Sequence, residues 1–259
     1  MPAPGSTDSA AGMLRRTKQQ LRELNLLRAA WVRLRSSVSA RRADRDGVLF
    51  LFYHDMQASE RPAFGRQLSQ FENFGDIIDI DTAIQIALTG GGGRHICLTF
   101  DDGRDGAVKH GLPLLAERGL SAAFFVVTGW IDASKPGVIT WDDCRALAKA
   151  GMQVGSHSVT HSRLSGLDHG AVQAELFDSR IRIESELGIS CEHFACPWGQ
   201  PKADFQPDRD PQLALAAGYR SFFTTLPSRA HSPASPYLLP RVRMEPGWGE
   251  AEIRYAFCR

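Results

Sequence analysis

The chain has 259 residues, 43% hydrophobic and 23% charged, with a formal net charge of +1. This balance is ordinary for a soluble globular protein and excludes a disordered chain. The length suits one α/β domain of barrel size or two small domains. Ten of the 30 Lys/Arg fall between Met13 and Arg45 against only Glu23 and Asp44, so a basic segment precedes a mildly acidic body, and no nucleic-acid partner is expected.

Five cysteines without a CxxC pair are no disulfide framework and favour a reducing compartment. No signal peptide and no long uninterrupted apolar run is visible, so the sequence reads as cytoplasmic.

Residues 1–12 read as disordered. Over 13–42, Leu14, Leu21, Leu24, Leu27, Trp31, Leu34 and Val38 recur at helical spacing, with arginines on the other faces. This basic amphipathic helix is expected to dock on the main domain or pair with a second copy. Peripheral contact with the inner face of a membrane is the alternative. A linker runs to residue 45, and the main domain is placed over 46–259.

The apolar run 48–53 has the pattern of a fully buried parallel strand and ends in His54-Asp55. Residues 56–70, with Pro62 and Gly65, read as irregular. A short strand is expected over 77–80, then a helix over 82–88 capped by Asp81, then a flexible loop at 90–93. A strand over 94–100 runs into Asp101-Asp102-Gly103. A helix over 108–118 stops at Gly119, and an apolar strand follows over 122–127. A helix over 140–150 precedes a brief strand at 152–155, which ends in Ser156-His157-Ser158-Val159-Thr160-His161. A long helix spans 169–187, and a strand over 193–196 ends in Pro197-Trp198-Gly199. A short helix (211–217) and a strand (219–225) follow, and 228–259 reads as loop-rich.

Strands alternating with helices argue for α/β with parallel strands. The chemistry-bearing residues then gather at the C-terminal ends of successive strands, where a β/α barrel builds its active site. Two adjacent carboxylates at a strand end can diverge, one toward a cation and one toward substrate. His157 and His161, spaced to meet over one helical turn, complete a two-His, one-carboxylate set with Asp102. Such a site suits Zn²⁺, Fe²⁺, Co²⁺ or Ni²⁺.

Thr-Phe-Asp-Asp-Gly, Ser-His-Ser-x-x-His and Phe-x-x-Pro-Trp-Gly, in that order, resemble the polysaccharide deacetylase family, the NodB-homology group of carbohydrate esterases. The resemblance covers about 48–242. It implies a distorted, incompletely closed (β/α) barrel and removal of N-acetyl, sometimes O-acetyl, groups from a carbohydrate with one divalent metal, zinc foremost. By position it implies Asp101 as catalytic base and Asp102, His157 and His161 as metal ligands. It also implies Pro197-Trp198-Gly199 as the substrate-groove motif, with the Trp198 N–H as oxyanion donor. Trp198 could also stack a sugar ring.

Two departures follow. The arginine that many members carry at the start of the groove motif is missing, with Ala195 and Cys196 standing there. The late Leu-x-His that often supplies the acid is also missing. Tyr53-His54 resembles a branch whose acid comes from an early strand, so His54 is expected as the acid. Arg241, in Leu239-Pro240-Arg241-Val242, is expected to take over the orientation of Asp101, with Arg243 as fallback. Two rivals to a carbohydrate deacetylase are a hydrolase of another C–N bond, such as a cyclic amide or imide, and a non-catalytic carbohydrate-binding relative. An oligosaccharide or lipid-linked precursor is the substrate that fits a cytoplasmic chain.

Overall fold

The structure is a computed structural model and describes residues 46–230 and 234–257. The helix expected over 13–42, the stretch 1–12 and most of the linker lie outside the described residues.

Strand β1 (Gly47–Tyr53) leads through a short 3-10 turn into helix α1 (Arg61–Phe71). Strand β2 (Asp76–Ile77), helix α2 (Ile80–Thr89) and strand β3 (Arg94–Phe100) follow. A π-helical turn (Ala107–Gly111) runs into α3 (Leu112–Ala116), then β4 (Ala123–Val126), α4 (Thr128–Asp132) and α5 (Trp141–Lys149). Next come β5 (Gln153–Ser156), α6 (His169–Leu187), β6 (His193–Ala195), α7 (Asp210–Ala216) and β7 (Ser221–Phe223). Strand β8 (Arg241–Arg243) and helix α8 (Glu250–Phe257) end the described chain.

The strands run in the order β7-β6-β5-β4-β3-β1-β8, each pair parallel, with β2 added beside the first half of β3. Strand β8 pairs with β1, while Leu239 just before it bridges to Phe223 of β7. The two ends of the sheet therefore meet, and the result is a nearly closed barrel with one unsealed seam. This is the α/β architecture expected from the alternation of elements.

Strand β1 shows why its apolar run is continuous. Val48 and Phe50 belong to the inner cluster, with Cys97, Phe125, Phe223 and four residues of α2. Leu49, Leu51 and Tyr53 belong to the outer cluster, against the surrounding helices. A strand covered on both faces has no position for a polar residue.

Two local expectations are corrected. The stretch 56–70 is largely helical: α1 buries Phe64, Leu68 and Phe71 on one face. Pro62 sits in its first turn, where no N–H donor is required. Helix α2 begins at Ile80, because Asp79 rather than Asp81 is the cap; its Oδ1 accepts from the Thr82 N–H at 2.9 Å. The C-terminal region is loop-rich as expected and also carries α8, which buries Ile253, Ala256 and Phe257, with Phe257 packed on Phe71 and Phe74. Among the described residues no helix is long and apolar enough to cross a membrane.

Candidate active site

Cys97 and Thr99 alternate on one face of β3, and Asp101, the residue after the strand's end, continues that alternation toward the barrel interior. There it meets Arg241, the first residue of β8. Arg241 Nη1 donates to Asp101 Oδ1 at 2.7 Å and Nη2 to Oδ2 at 2.8 Å. Nη1 also donates to Thr99 Oγ1, and Nε to the Thr224 carbonyl. The guanidinium is fully buried, with the rings of Phe52, Phe125 and Phe223 within 6 Å of it. Burial pushes the Asp101 carboxyl up, but the Arg241 charge, His157 and the Arg241 hydrogen bonds outweigh it, and the group sits below its ordinary value.

Asp102 turns the other way. Its φ of 69° is left-handed, and the following Gly103 is left-handed too. The two carboxylates thus diverge: Asp101 faces an arginine and Asp102 faces two imidazoles. His157 Nε2 lies 3.6 Å and His161 Nε2 3.2 Å from Asp102 Oδ1.

This trio fits a divalent cation. His157 Nδ1 is 2.7 Å from the Ala195 carbonyl, which can only accept, so Nδ1 carries the proton and Nε2 presents its lone pair. Asp102 Oδ1, facing it, is a buried oxygen with no hydrogen-bond partner among the described residues. Lone pairs aimed at one point, in a buried setting, are what a metal ion satisfies. Burial also lowers the His157 pKa to about 4, keeping the imidazole neutral, the form that ligates. Burial pushes Asp102 up, while His161 and His157 outweigh it and hold the carboxyl well below its ordinary value.

The two histidines converge without the helical turn expected from their spacing. Residues 157–161 form a loop in which Ser158 and His161 have positive φ of 68° and 65°. Such strain, of about 1–3 kcal/mol per residue, persists only where surrounding contacts impose it. Here the Ser158 N–H donates to Ser156 Oγ, the His161 N–H donates to Ser158 Oγ, and Glu175 on α6 holds the residues between. Its carboxylate accepts from the Val159 N–H at 2.8 Å, the Thr160 N–H at 2.9 Å and the Thr160 hydroxyl at 2.6 Å. Sequence reasoning missed Glu175. The signal was an acid on the buried stripe of α6, beside Val172, Leu176, Ser179 and Ile183. Also missed were Arg104, 3.4 Å from Asp102 Oδ2, and Trp130, whose ring lies 5.1 Å from that of His161.

A cavity of about 380 Å³ opens over these groups, lined by His54, Asp101, Asp102, His157, His161, Trp198 and Arg243 among others. His54 follows β1, with its ring 5.5 Å from Phe52. Trp198 is left-handed, half-exposed and 5.4 Å from the His161 ring. Gly199 is tightly placed, because a Cβ there would lie 2.7 Å from the Thr225 nitrogen.

The polysaccharide deacetylase family profile matches residues 90–221, just over half of the chain. The chain belongs to the polysaccharide deacetylase family. The match holds Asp101, Asp102, both histidines and the Pro-Trp-Gly motif, whereas His54 and Arg241 lie outside it. Among curated proteins, Bacillus subtilis (strain 168) YxkH is 26% identical over 152 residues, 59% of this chain and 52% of YxkH. This polysaccharide deacetylase family chain thus spans about half the length of that relative. IcaB from Ammonifex degensii superposes with a TM-score of 0.72 at 22% identity, covering 83% of this chain and 98% of its own. The Streptococcus pyogenes deacetylase PplD, solved with acetate, gives 0.69 at 21% identity over 78% and 94% of the two chains. At these identities the likeness shows a shared fold.

Proposed function

We propose that the protein is a divalent-metal-dependent hydrolase that removes N-acetyl groups from a carbohydrate, with the chemistry carried by residues 46–259. The observation that carries this reading is the placement of an arginine-locked carboxylate, Asp101, beside an Asp-His-His trio in one cavity. Membership of the deacetylase family supports it.

Asp102 Oδ1, His157 Nε2 and His161 Nε2 would hold the cation, and a mixed nitrogen and oxygen set favours zinc, with Co²⁺, Ni²⁺ or Fe²⁺ next. When bound, such an ion polarises an acyl carbonyl and makes water easier to deprotonate. Asp101 accepts the proton of the attacking water, and Arg241 keeps that carboxylate ionised and aimed. Among the described residues nothing accepts the Trp198 N–H, which leaves it for the oxyanion that forms at the acyl carbon. His54, on the opposite wall, gives a proton to the departing amine. Pro197 and Gly199 fix the Trp198 backbone, and the exposed indole offers a face to a sugar ring.

Acetate release from N-acetylglucosamine oligomers, measured with and without a chelator, tests this. Release that stops on chelation and returns with zinc is the expected result. Release insensitive to chelation removes the metal, and no release from any N-acetylated sugar removes the deacetylase reading.

A further inference from the structure

Charges around the cavity are sorted by depth. Asp101, Asp102 and Asp204 are buried, at 2%, 7% and 2% exposure. Of the nearby bases, Arg243 lines the cavity, and Arg163 stands beside it on the ring of the lining Trp198. The side chains of Arg163 and Arg243 keep 51% and 61% of their surface open. Arg163 is anchored by the buried Asp204 and lies 4.5 Å from the centre of the Trp198 ring. Lys135 rests on Trp130, its Nζ 3.4 Å from the ring centre, with no acid in ion-pair range among the described residues. A molecule entering the cavity therefore meets the guanidinium of Arg243 beside its exposed partner Glu245, while the carboxylates of Asp101 and Asp102 lie deeper.

Arg243 is the best placed of these bases. It follows Arg241 by two residues on β8, on the same face of the strand, and pairs in register with Phe52 of β1. That puts it on the wall that carries His54, as a lining residue of the cavity. Its partner Glu245 accepts from Nη2 at 2.6 Å and from Nε at 2.8 Å but is itself 38% exposed, and an exposed pair of this kind is worth little, so an incoming anion can displace it. A guanidinium takes a phosphate or carboxylate bidentately. A neutral sugar would draw only the weaker hydrogen bonds of its hydroxyls from these cations.

We propose that the substrate is anionic, an acylamino sugar carrying a phosphate or carboxylate group that Arg243 binds at the cavity mouth. This rests on the deacetylase reading and narrows its substrate class. The test compares kcat/KM for N-acetylglucosamine, phosphorylated N-acetylglucosamine and N-acetylmuramate, the last two separating phosphate from carboxylate. At low salt one anionic sugar is expected to exceed the neutral one about tenfold, the scale of a charge-assisted hydrogen bond. High salt erodes the preference. Arg243→Gln brings the ratio toward one, and Glu245→Gln, which frees Arg243, raises it. Calorimetric binding to metal-stripped protein shows the same order of sugars, which separates Arg243 from a phosphate seated on the cation. Equal kcat/KM for neutral and charged sugars, or a preference untouched in Arg243→Gln, overturns the anionic substrate and leaves the deacetylase reading standing. No turnover of any of the three sugars or of neutral oligomers overturns both.

Discussion

The Arg241 guanidinium and the Asp101 carboxylate face each other through two parallel hydrogen bonds, 2.7 and 2.8 Å long, inside the barrel. They are 140 residues apart in sequence. The pair is the means by which the first residue of β8 holds the carboxylate that follows β3.

Arg241→Lys separates orientation from charge. A lysine keeps the positive charge but cannot bridge both oxygens. Under the proposed mechanism kcat falls about ten- to a hundredfold with little change in KM. Arg241→Ala leaves a buried carboxylate unpaired and costs about 3–5 kcal/mol of stability, read by thermal or denaturant unfolding. Normal turnover in the lysine variant would remove Arg241 from the mechanism.

The trio of Asp102, His157 and His161 makes a second prediction. Wild-type protein is expected to hold about one divalent ion per chain. His161→Ala is expected to lose it by elemental analysis while its unfolding transition stays cooperative, because His161 lies on a loop outside the hydrophobic core clusters. Asp101→Asn keeps the metal but lowers turnover about 10²–10⁴-fold. A variant that loses both histidines and still retains stoichiometric metal would place the ion elsewhere.

Glu175 is expected to matter without touching substrate. Glu175→Ala strands the two N–H groups of the 157–161 loop and the Thr160 hydroxyl that it now accepts from. Metal affinity should fall about ten- to a hundredfold, as when groups that orient ligands are removed. Competition with a chromophoric chelator measures this, and unchanged affinity would show that the loop holds its shape alone.

The thiols give a fourth prediction. Cys97, Cys144, Cys191 and Cys196 are free and buried, while Cys258 lies outside the described residues. Burial pushes Cys144 up to about 12 and the other three higher, so none offers a thiolate at neutral pH. A thiol reagent should modify none of these four in the native protein and all five cysteines in denaturant. Mass mapping of a native adduct to any of the four would contradict the packing.

The sequence by itself determined the local parts of this protein. The run 48–53 carries the pattern of a strand buried on both faces, and the alternation of elements argues for parallel strands with their C-terminal ends together. Asp101-Asp102-Gly103, the His157–His161 spacing and Pro197-Trp198-Gly199 marked the strand ends that carry the candidate chemistry. Local reasoning failed where two local signals competed: Pro62 reads as a breaker unless it falls in a first helical turn, and Asp79 and Asp81 are both plausible caps. Only the tertiary structure decided which groups those strand ends meet. The joining of the sheet's two ends brings Arg241 onto Asp101. Packing of α6 under the loop puts Glu175 beneath the histidines, and a left-handed backbone, which no spacing rule anticipates, turns His161 toward Asp102. These contacts join residues far apart in the chain, so they leave no periodicity to read; they exist because a buried charge must find its partner wherever the fold places one.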